Sequence, residues 1–227
     1  MEHSVSSDFK PTARSRVKRL HKRAHYDRDT IYAILDAGFI CHVGYAIDGQ
    51  PYVTPTAYWR EGDHVYWHGS AASRMLRHLE QGADCCLTVT HLDALVLARS
   101  GFHHSLDYRS AMIFGRAHKV TDAGEKLAKM ENFVNRIAPG RWADLRPVNK
   151  KELKATTLLG MEITEASAKV RAAGVIDDDE DYALPIWAGV VPVRMVAGAA
   201  RDDGRLAKGT RRPQNIDSFA HLGLAPK

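Results

Sequence analysis

The sequence has little of what would place a protein outside the cytoplasm or in a membrane. Its 227 residues contain three cysteines, and two of them, Cys85 and Cys86, are adjacent. Adjacent cysteines on a strand point to opposite faces and make a poor disulfide framework, so we expect reduced, buried thiols. No run of about 18 apolar residues is present to span a membrane, and the first residues lack the apolar segment of a secretory signal. We therefore expect a cytoplasmic protein that does not contact membranes.

Motifs for metal binding and for hydrolysis are also missing. The twelve histidines include the adjacent pair His103 and His104, with His64 and His91 as further candidates. Adjacent histidines on extended chain diverge, and no cysteine-rich spacing supports a metal site. A hydrolase with a nucleophile elbow would need Gly-x-Ser-x-Gly, which does not occur. We expect neither a metal centre nor a hydrolytic triad.

The positive charge is concentrated near the N-terminus. The net charge is +5, and residues 10–23 contain seven basic residues and no acidic one. Such a segment is typical either of a nucleic-acid-binding arm or of a solvated leader that closes over an anionic ligand. Aromatic residues are not interleaved with the basic ones and no nucleic-acid motif follows, so nucleic acid is not expected as a partner.

The order of the predicted elements indicates a mainly β fold of the α+β class. Six or seven strands follow one another mostly as hairpins, with turns at Asp48-Gly49 and Glu61-Gly62-Asp63, and helices are inserted at few places. This order favours a small antiparallel barrel over a doubly wound fold, which would alternate strand and helix. We assign residues 1–20 to a flexible basic leader, 21–195 to the folded domain and 196–227 to an irregular tail.

One stretch, residues 53–89, has the features of an anion site. It predicts a hairpin, a short loop, an amphipathic helix and a returning strand. Gly69, Ser70, Ser73 and Arg74 lie where a strand ends and the helix begins, a junction that offers backbone N–H groups, two hydroxyls and a guanidinium to an anion such as phosphate. Ser73 and Arg74 are equally compatible with a helix cap and a surface cation.

The sequence resembles the pyridoxamine 5′-phosphate oxidase-like split-barrel proteins that bind flavin mononucleotide (FMN), and within them the branch of the nitroimidazole-resistance proteins. The segments that carry the resemblance are Gln50–Tyr58, Val65–Ser70, Ser73–Leu76 and Tyr108–Ala117. The resemblance implies a six-stranded split β-barrel with a few peripheral helices. It also implies a homodimer with FMN in clefts between the subunits and a small-molecule substrate. The chain lacks the C-terminal signature of the true oxidases, so vitamin B6 oxidation is not expected.

The resemblance also implies which residues bind the cofactor. The phosphate-binding serine and basic residue correspond to Ser73 and Arg74, and their neighbours form the rest of that loop. The strand along the flavin ring corresponds to residues 53–56. The complete set of expected FMN contacts is Val53, Thr54, Pro55, Thr56, His68, Gly69, Ser70, Ser73, Arg74, Met75, Arg109, Ser110 and Trp187.

His68 is the candidate catalytic residue. It ends a strand beside the loop and could donate a proton to flavin or substrate; the alternative is a structural histidine bonded to backbone. Four neighbouring aromatic residues could line an apolar cleft, namely Tyr58, Trp59, Tyr66 and Trp67. We expect an FMN-dependent oxidoreductase that passes electrons from a reduced nicotinamide or similar donor to a small organic acceptor, with nitroaromatic compounds as one candidate class. A flavin sensor or storage protein and a haem- or tetrapyrrole-binding protein are the alternatives.

Overall fold

The computed structural model describes residues 8–216 and 225–226. Four α-helices are present in this part of the chain: α1 (Arg28–Asp36), α2 (Arg74–Leu79), α3 (Ala123–Ile137) and α4 (Lys150–Ala155). The strands are β1 (Ala24–His25), β2 (Ile40–Ile47), β3 (Gln50–Glu61), β4 (His64–Ser70), β5 (Asp84–Leu97), β6 (Ser105–Arg116), β7 (His118–Lys119), β8 (Thr156–Glu162), β9 (Glu165–Arg171), β10 (Gly189–Pro192), β11 (Val196–Ala197) and β12 (Ala225–Pro226). Short 3-10 turns complete the connections.

Ten of these strands form one open antiparallel sheet. Its order is β1-β9-β6-β5-β2-β3-β4-β8-β7, and β10 pairs with β5. The long strand β3 pairs with β2 through its first eight residues and with β4 through its last four, so it joins the two parts of the sheet. The sheet curves without closing, which confirms the predicted split barrel; seven of its strands are seven residues or longer.

The two predicted hairpin turns form as expected, because their residues adopt the backbone conformations that tight turns require. Asp48 and Gly49 have φ angles of 51° and 80°, so both central residues are left-handed, as in a type I′ turn. Gly62, in the next turn, has a φ of 54°. These turns fix the register of β2, β3 and β4.

The sequence pattern predicts a first helix with Asp29 as its cap and Gly38 as its left-handed stop, but the helix begins and ends differently. Asp27, rather than Asp29, caps α1, since its carboxylate accepts a hydrogen bond from the Thr30 N–H at 2.8 Å. Gly38 is not a left-handed stop. A Cβ at Gly38 would lie 2.7 Å from the hydroxyl of Tyr58, so this position requires glycine because the buried tyrosine approaches it.

The four aromatic residues that could have lined a cleft are core residues instead. Tyr58, Trp59, Tyr66 and Trp67 are each 6% exposed or less. Tyr58 and Trp67 pack inside the barrel, while Trp59 and Tyr66 pack on the outer side of the sheet beneath α3. Strand alternation sends neighbours to opposite sides, and both sides are covered here.

The basic N-terminal segment lies against the domain from residue 8 onward. Phe9 is 5% exposed and belongs to the barrel core, and its N–H donates to the carbonyl of Tyr26. Arg14 forms an ion pair with Glu165 and lies over the ring of Phe114. The predicted domain boundaries at residues 20 and 195 remain predictions. Residues before position 20, such as Phe9, nevertheless pack against the domain. Most of the tail predicted for 196–227 that is described is irregular and exposed; residues 217–224 and 227 lie outside the described residues.

Candidate functional site

The loop predicted to bind an anion, residues 69–74, lies between the end of β4 and the start of α2, and we call it the cradle. Ser73 caps α2: its hydroxyl faces the Leu76 N–H at 3.5 Å. The Ser70 hydroxyl accepts from the Ala72 N–H at 3.2 Å. A Cβ at Gly69 would lie 3.1 Å from the side chain of Leu76, so the helix approaches the strand closely here. The loop is therefore short, held by its own hydroxyls, and open at its outer side.

Arg74 is the free cation of this cradle. Its guanidinium lies 4.2 Å from the ring centroid of Tyr52 on β3, and within the described chain it has no ion pair or hydrogen bond. The neighbouring Arg77 is engaged, since its Nε donates to the Ala71 carbonyl at 2.9 Å. A guanidinium that rests on an aromatic ring keeps its donors available for a phosphate.

A chain of aromatic side chains connects Arg74 to the strand predicted to lie along the flavin ring. Tyr52 stacks on Tyr45 of β2, with centroids 5.5 Å apart. The Tyr45 hydroxyl is 3.1 Å from that of Thr54. The cradle and the Thr54 hydroxyl are thus brought together, as the sequence predicted, by two tyrosines that the prediction did not include.

Residues 53–56, predicted to lie along the flavin ring, alternate between the two faces of the sheet. Thr54 and Thr56 face the inner side of the sheet, opposite Val43 and Cys41 in the register. Val53 and Pro55 lie on the outer face, where Val53 is 68% exposed. Met75 is 5% exposed and packs in the barrel core. A ligand can therefore contact Met75 only through its backbone.

The other predicted contacts lie farther along β5, in a group that we call the distal region: Arg109, Ser110 and Trp187. Arg109 forms a two-pronged ion pair with Asp93, at 2.9 and 2.8 Å. Ser110 points to the other face, as alternation requires, and its hydroxyl is 3.4 Å from the Lys169 carbonyl. Trp187 is 69% exposed and lies over Gly189 of β10.

Within one chain the distal region does not meet the cradle. Tyr45 is opposite Cys85 on β5, whereas Arg109 is opposite His91 and Gly189 is opposite Leu97. At about 3.3 Å per residue, Arg109 and Gly189 are roughly 20 Å and 40 Å from the level of Tyr45, measured along β5. The single chain therefore assembles one part of the predicted site.

His68 lies outside both regions. Its ring packs on Phe133 of α3, with centroids 4.7 Å apart, and edge-on to Trp59 at 5.9 Å. Its Nδ1 is buried and has no hydrogen-bond partner within residues 8–216 and 225–226. Burial lowers its pKa below the usual value, so the imidazole is neutral at neutral pH. The alternative was a structural histidine bonded to the backbone, and Nδ1 makes no such bond in the described structure. The catalytic role remains a prediction.

The set of contacts predicted from the sequence did not include three residues that lie beside the cradle: Tyr45, Tyr52 and His78. The His78 ring is 6.0 Å from that of Tyr45, and its Nε2 is buried without a hydrogen-bond partner in the described structure. The tyrosine pair could have been found, because a two-residue turn at Asp48-Gly49 places residues 45 and 52 directly opposite. His78 carries no comparable signal.

The cysteines are free, as the sequence predicts, and two of the three are buried. Cys41 and Cys85 are free and buried, and burial raises the pKa of each to about 12. Cys86 points to the other side of the sheet and is half-buried. In the described part of the chain, no group of three or more His, Cys, Asp or Glu side chains could hold a metal ion, and no helix there is apolar and long enough to cross a bilayer.

Sequence comparison identifies the family. A family model described as pyridoxamine 5′-phosphate oxidase matches residues 27–170, and the chain belongs to this family. The resemblance carried by the hairpin and loop segments is thereby confirmed. No curated protein gives a significant match.

Solved structures include two similar proteins that cover most of the chain. The flavocytochrome Anf3 from Azotobacter vinelandii is 47% identical, with a TM-score of 0.87 over 92% of this chain and 97% of that one. A protein from Mycobacterium smegmatis described as binding FAD and haem is 36% identical, with a TM-score of 0.82 over 86% and 95%. A 5-nitroimidazole resistance-type protein from Bacteroides thetaiotaomicron shares the fold at 21% identity and a TM-score of 0.56, over 65% and 86%.

Proposed function

We propose that this protein is a redox protein that binds a flavin nucleotide and haem. The observation that carries the flavin part is the free guanidinium of Arg74, held over Tyr52 beside two loop hydroxyls and within reach of the Tyr45–Thr54 pair. Membership of the pyridoxamine 5′-phosphate oxidase family supports it. The similarity to a flavocytochrome and to a FAD- and haem-binding protein, both above 30% identity, supports the haem part.

The residues present fit a flavin nucleotide. Arg74 supplies an unpaired cation for phosphate, and the Ser70 and Ser73 hydroxyls can donate to phosphate oxygens while their oxygens still accept from backbone N–H groups. Thr54 offers a hydroxyl, fixed by Tyr45, to a polar ring edge. The bound flavin would supply hydride and electron transfer, and the protein would position it. FMN and FAD share the phosphate and the ring that the cradle and Thr54 would contact, and the adenosine of FAD would extend beyond them.

Haem binding requires a different set of residues from flavin binding. The porphyrin supplies four nitrogens, so the chain needs to add one or two axial ligands rather than a group of three. Histidine is the commonest such ligand, and the sequence has twelve. The lack of a three-ligand cluster within residues 8–216 and 225–226 is therefore compatible with haem.

A homodimer would complete the flavin site. The outer face of β2, β3, β5 and β6 exposes apolar side chains that a second copy could cover, among them Ile40 at 61%, Val53 at 68% and Met112 at 40% exposure. Cross-strand register places them on one face. A second copy packed there could bring its distal region to this cradle, since closed two-fold assemblies place each surface against its own copy.

The proposed reaction is oxidoreduction in the cytoplasm, with a reduced nicotinamide as donor and a small organic molecule as acceptor. A nitroaromatic acceptor is one class to assay. A sensor or storage role would differ by binding flavin without turnover. The free, buried thiols are compatible with a reducing compartment.

The absorbance spectrum of the purified protein, before and after addition of FMN, FAD and haemin, tests this function. We expect flavin bands together with a Soret band, and cofactor release by denaturation identifies the flavin by chromatography. Oxidation of NADH or NADPH with a nitroaromatic acceptor then separates an enzyme from a sensor. A protein that takes up neither cofactor when both are supplied would contradict the proposal.

A further inference from the structure

The basic segment near the N-terminus is a fixed part of the surface rather than a free arm. Phe9 belongs to the barrel core, and Ser15 is 3% exposed. The Val17 N–H donates to the hydroxyl of Tyr26 at 2.9 Å. Farther along, β1 pairs with β9 at the edge of the sheet. The backbone of the segment is therefore held at both ends and in the middle, and its basic side chains keep their places along the domain.

Five of these side chains form a group that we call the basic rim: Arg16, Lys18, Arg19, Lys22 and Arg23. Four of them are exposed and Arg23 is half-buried. In the part of the chain that the structure describes, none of the five forms an ion pair, whereas Arg14 of the same segment is paired with Glu165. Unpaired cations with no acidic residue among them give a local positive potential that attracts an anionic partner.

The local structure of the basic rim suits another protein better than nucleic acid or a lipid surface. Its regular structure is one 3-10 turn, His21–Arg23, so it presents no helix or ribbon that could enter a groove. Residues 16–23 contain no Phe, Tyr or Trp on which a base could stack. Their one exposed large apolar side chain is Leu20, which is too little for insertion into a bilayer. Charged surfaces with little apolar area are typical of transient contacts, and electron-transfer pairs are among those that bury the least area.

The basic rim lies beside the distal region. Ala24, which follows the rim in the chain, is opposite Lys169 on β9, and Lys169 is opposite Ser110 on β6. With neighbouring strands about 4.8 Å apart, roughly 10 Å separates the end of the rim from Ser110. A protein docked on the rim would therefore lie close to a flavin that is held between a cradle and this region.

We propose that the basic rim docks an acidic electron-carrier protein, which is a second electron donor beside the reduced nicotinamide. The inference rests on the proposed redox function and names a partner for it. Carboxylates of the carrier pair with the rim cations, which steers its approach and lets it leave again. In each encounter the reduced carrier loses one electron and the bound cofactor gains it. Two encounters, with two protons from solvent, complete the reduction of a flavin.

Association kinetics with two carriers of opposite charge test the partner. The probes are a [2Fe–2S] ferredoxin of negative net charge and a cytochrome c of positive net charge, each mixed with the full chain at low ionic strength. We expect the ferredoxin to associate at least about tenfold faster than the cytochrome, and high salt to remove most of that difference. Equal association rates, or tighter binding of duplex DNA or of anionic vesicles than of the ferredoxin, would overturn the inference.

Charge reversal tests the location. K18E/R19E/K22E changes three exposed residues of the basic rim, and R205E/K208E/R211E makes the same change of net charge on the exposed tail. The rim variant should associate with the ferredoxin at least about tenfold more slowly, whereas the tail variant should stay within about threefold of the wild type. The rate at which reduced ferredoxin reduces the bound flavin should fall by the same factor.

Cofactor uptake separates this inference from the proposed function. Circular dichroism and flavin uptake by both variants check that they are folded. Equal effects of the two charge reversals would overturn the docking surface, and so would a wild-type protein that takes up its cofactors but does not bind the ferredoxin; the proposed function would stand in both cases. A wild-type protein that takes up neither flavin nor haemin would overturn both.

Discussion

The cradle and the distal region differ in how completely one chain builds them. At the cradle, Arg74, Tyr52, Tyr45 and Thr54 contact one another across α2, β3 and β2, and a free cation is left at the surface. In the distal region, Arg109 is committed to Asp93 and Trp187 is exposed with nothing described over its outer side. The comparison teaches that most of the expected flavin contacts fall into two separate groups, which a second copy could unite, while His68 lies outside both.

The largest expected effect is at the free cation. Loss of a guanidinium that binds a phosphate costs about 1.5–3 kcal/mol of binding free energy, so R74A should weaken flavin binding by about 10- to 150-fold. R77A is the matched control, because Arg77 is on the same helix but donates to the Ala71 carbonyl. Fluorescence titration measures both; equal losses would remove the distinction between the two arginines.

Arg109 tests whether the distal region belongs to the site. R109A should weaken flavin binding by about tenfold, as expected for loss of one charge-assisted contact, while the melting temperature stays nearly constant. The Arg109–Asp93 pair is more than a third exposed, so its removal costs little stability. R116A, on the same strand and paired with Asp84, is the control. Unchanged binding in R109A would confine the site to the cradle.

Tyr52 should matter through its ring rather than its hydroxyl. Loss of the cation–π contact in Y52L frees the Arg74 side chain, and we expect flavin binding to weaken by about 3- to 10-fold. Y52F keeps the ring and should bind like the wild type. If Y52F were as weak as Y52L, the hydroxyl would be the important group.

His68 should affect how the free energy of unfolding depends on pH. Its replacement does not bear on the comparison of the cradle with the distal region. Burial lowers its folded pKa, so the unfolded chain takes up a proton first as the pH falls below about 6.5. Stability should therefore decrease on acidification until the folded pKa is passed. H68L should reduce that pH dependence in denaturant titrations at pH 5–8; an unchanged profile would mean that other groups cause it.

The sequence was sufficient for the fold where local chemistry decides it. Asp48-Gly49 set the first hairpin, and Ser73 marked the start of α2, because both signals act within a few residues. The boundary of α1 was misjudged, since Asp27 and Asp29 are both plausible caps and only the packed chain selects one. Gly38 was misread for a similar reason: its neighbour, Tyr58, is twenty residues away.

The site was predictable in part for the same reason. The loop of Ser70, Ser73 and Arg74 is contiguous, and the family resemblance supplied the ligand expected there. The burial of Tyr58 and Trp59 was not predictable, because alternation shows that neighbours diverge but not that both faces are covered. The environment of His68 depends on Phe133, which comes from a helix far along the chain.

The central claim is that one flavin site is built from the cradle of one copy and the distal region of another. Mixing unfolded R74A and R109A and refolding them together tests it, since random pairing leaves about a quarter of the sites with both arginines intact. The account predicts that flavin affinity returns in about that fraction of sites. A mixture that binds no better than either variant alone would contradict it.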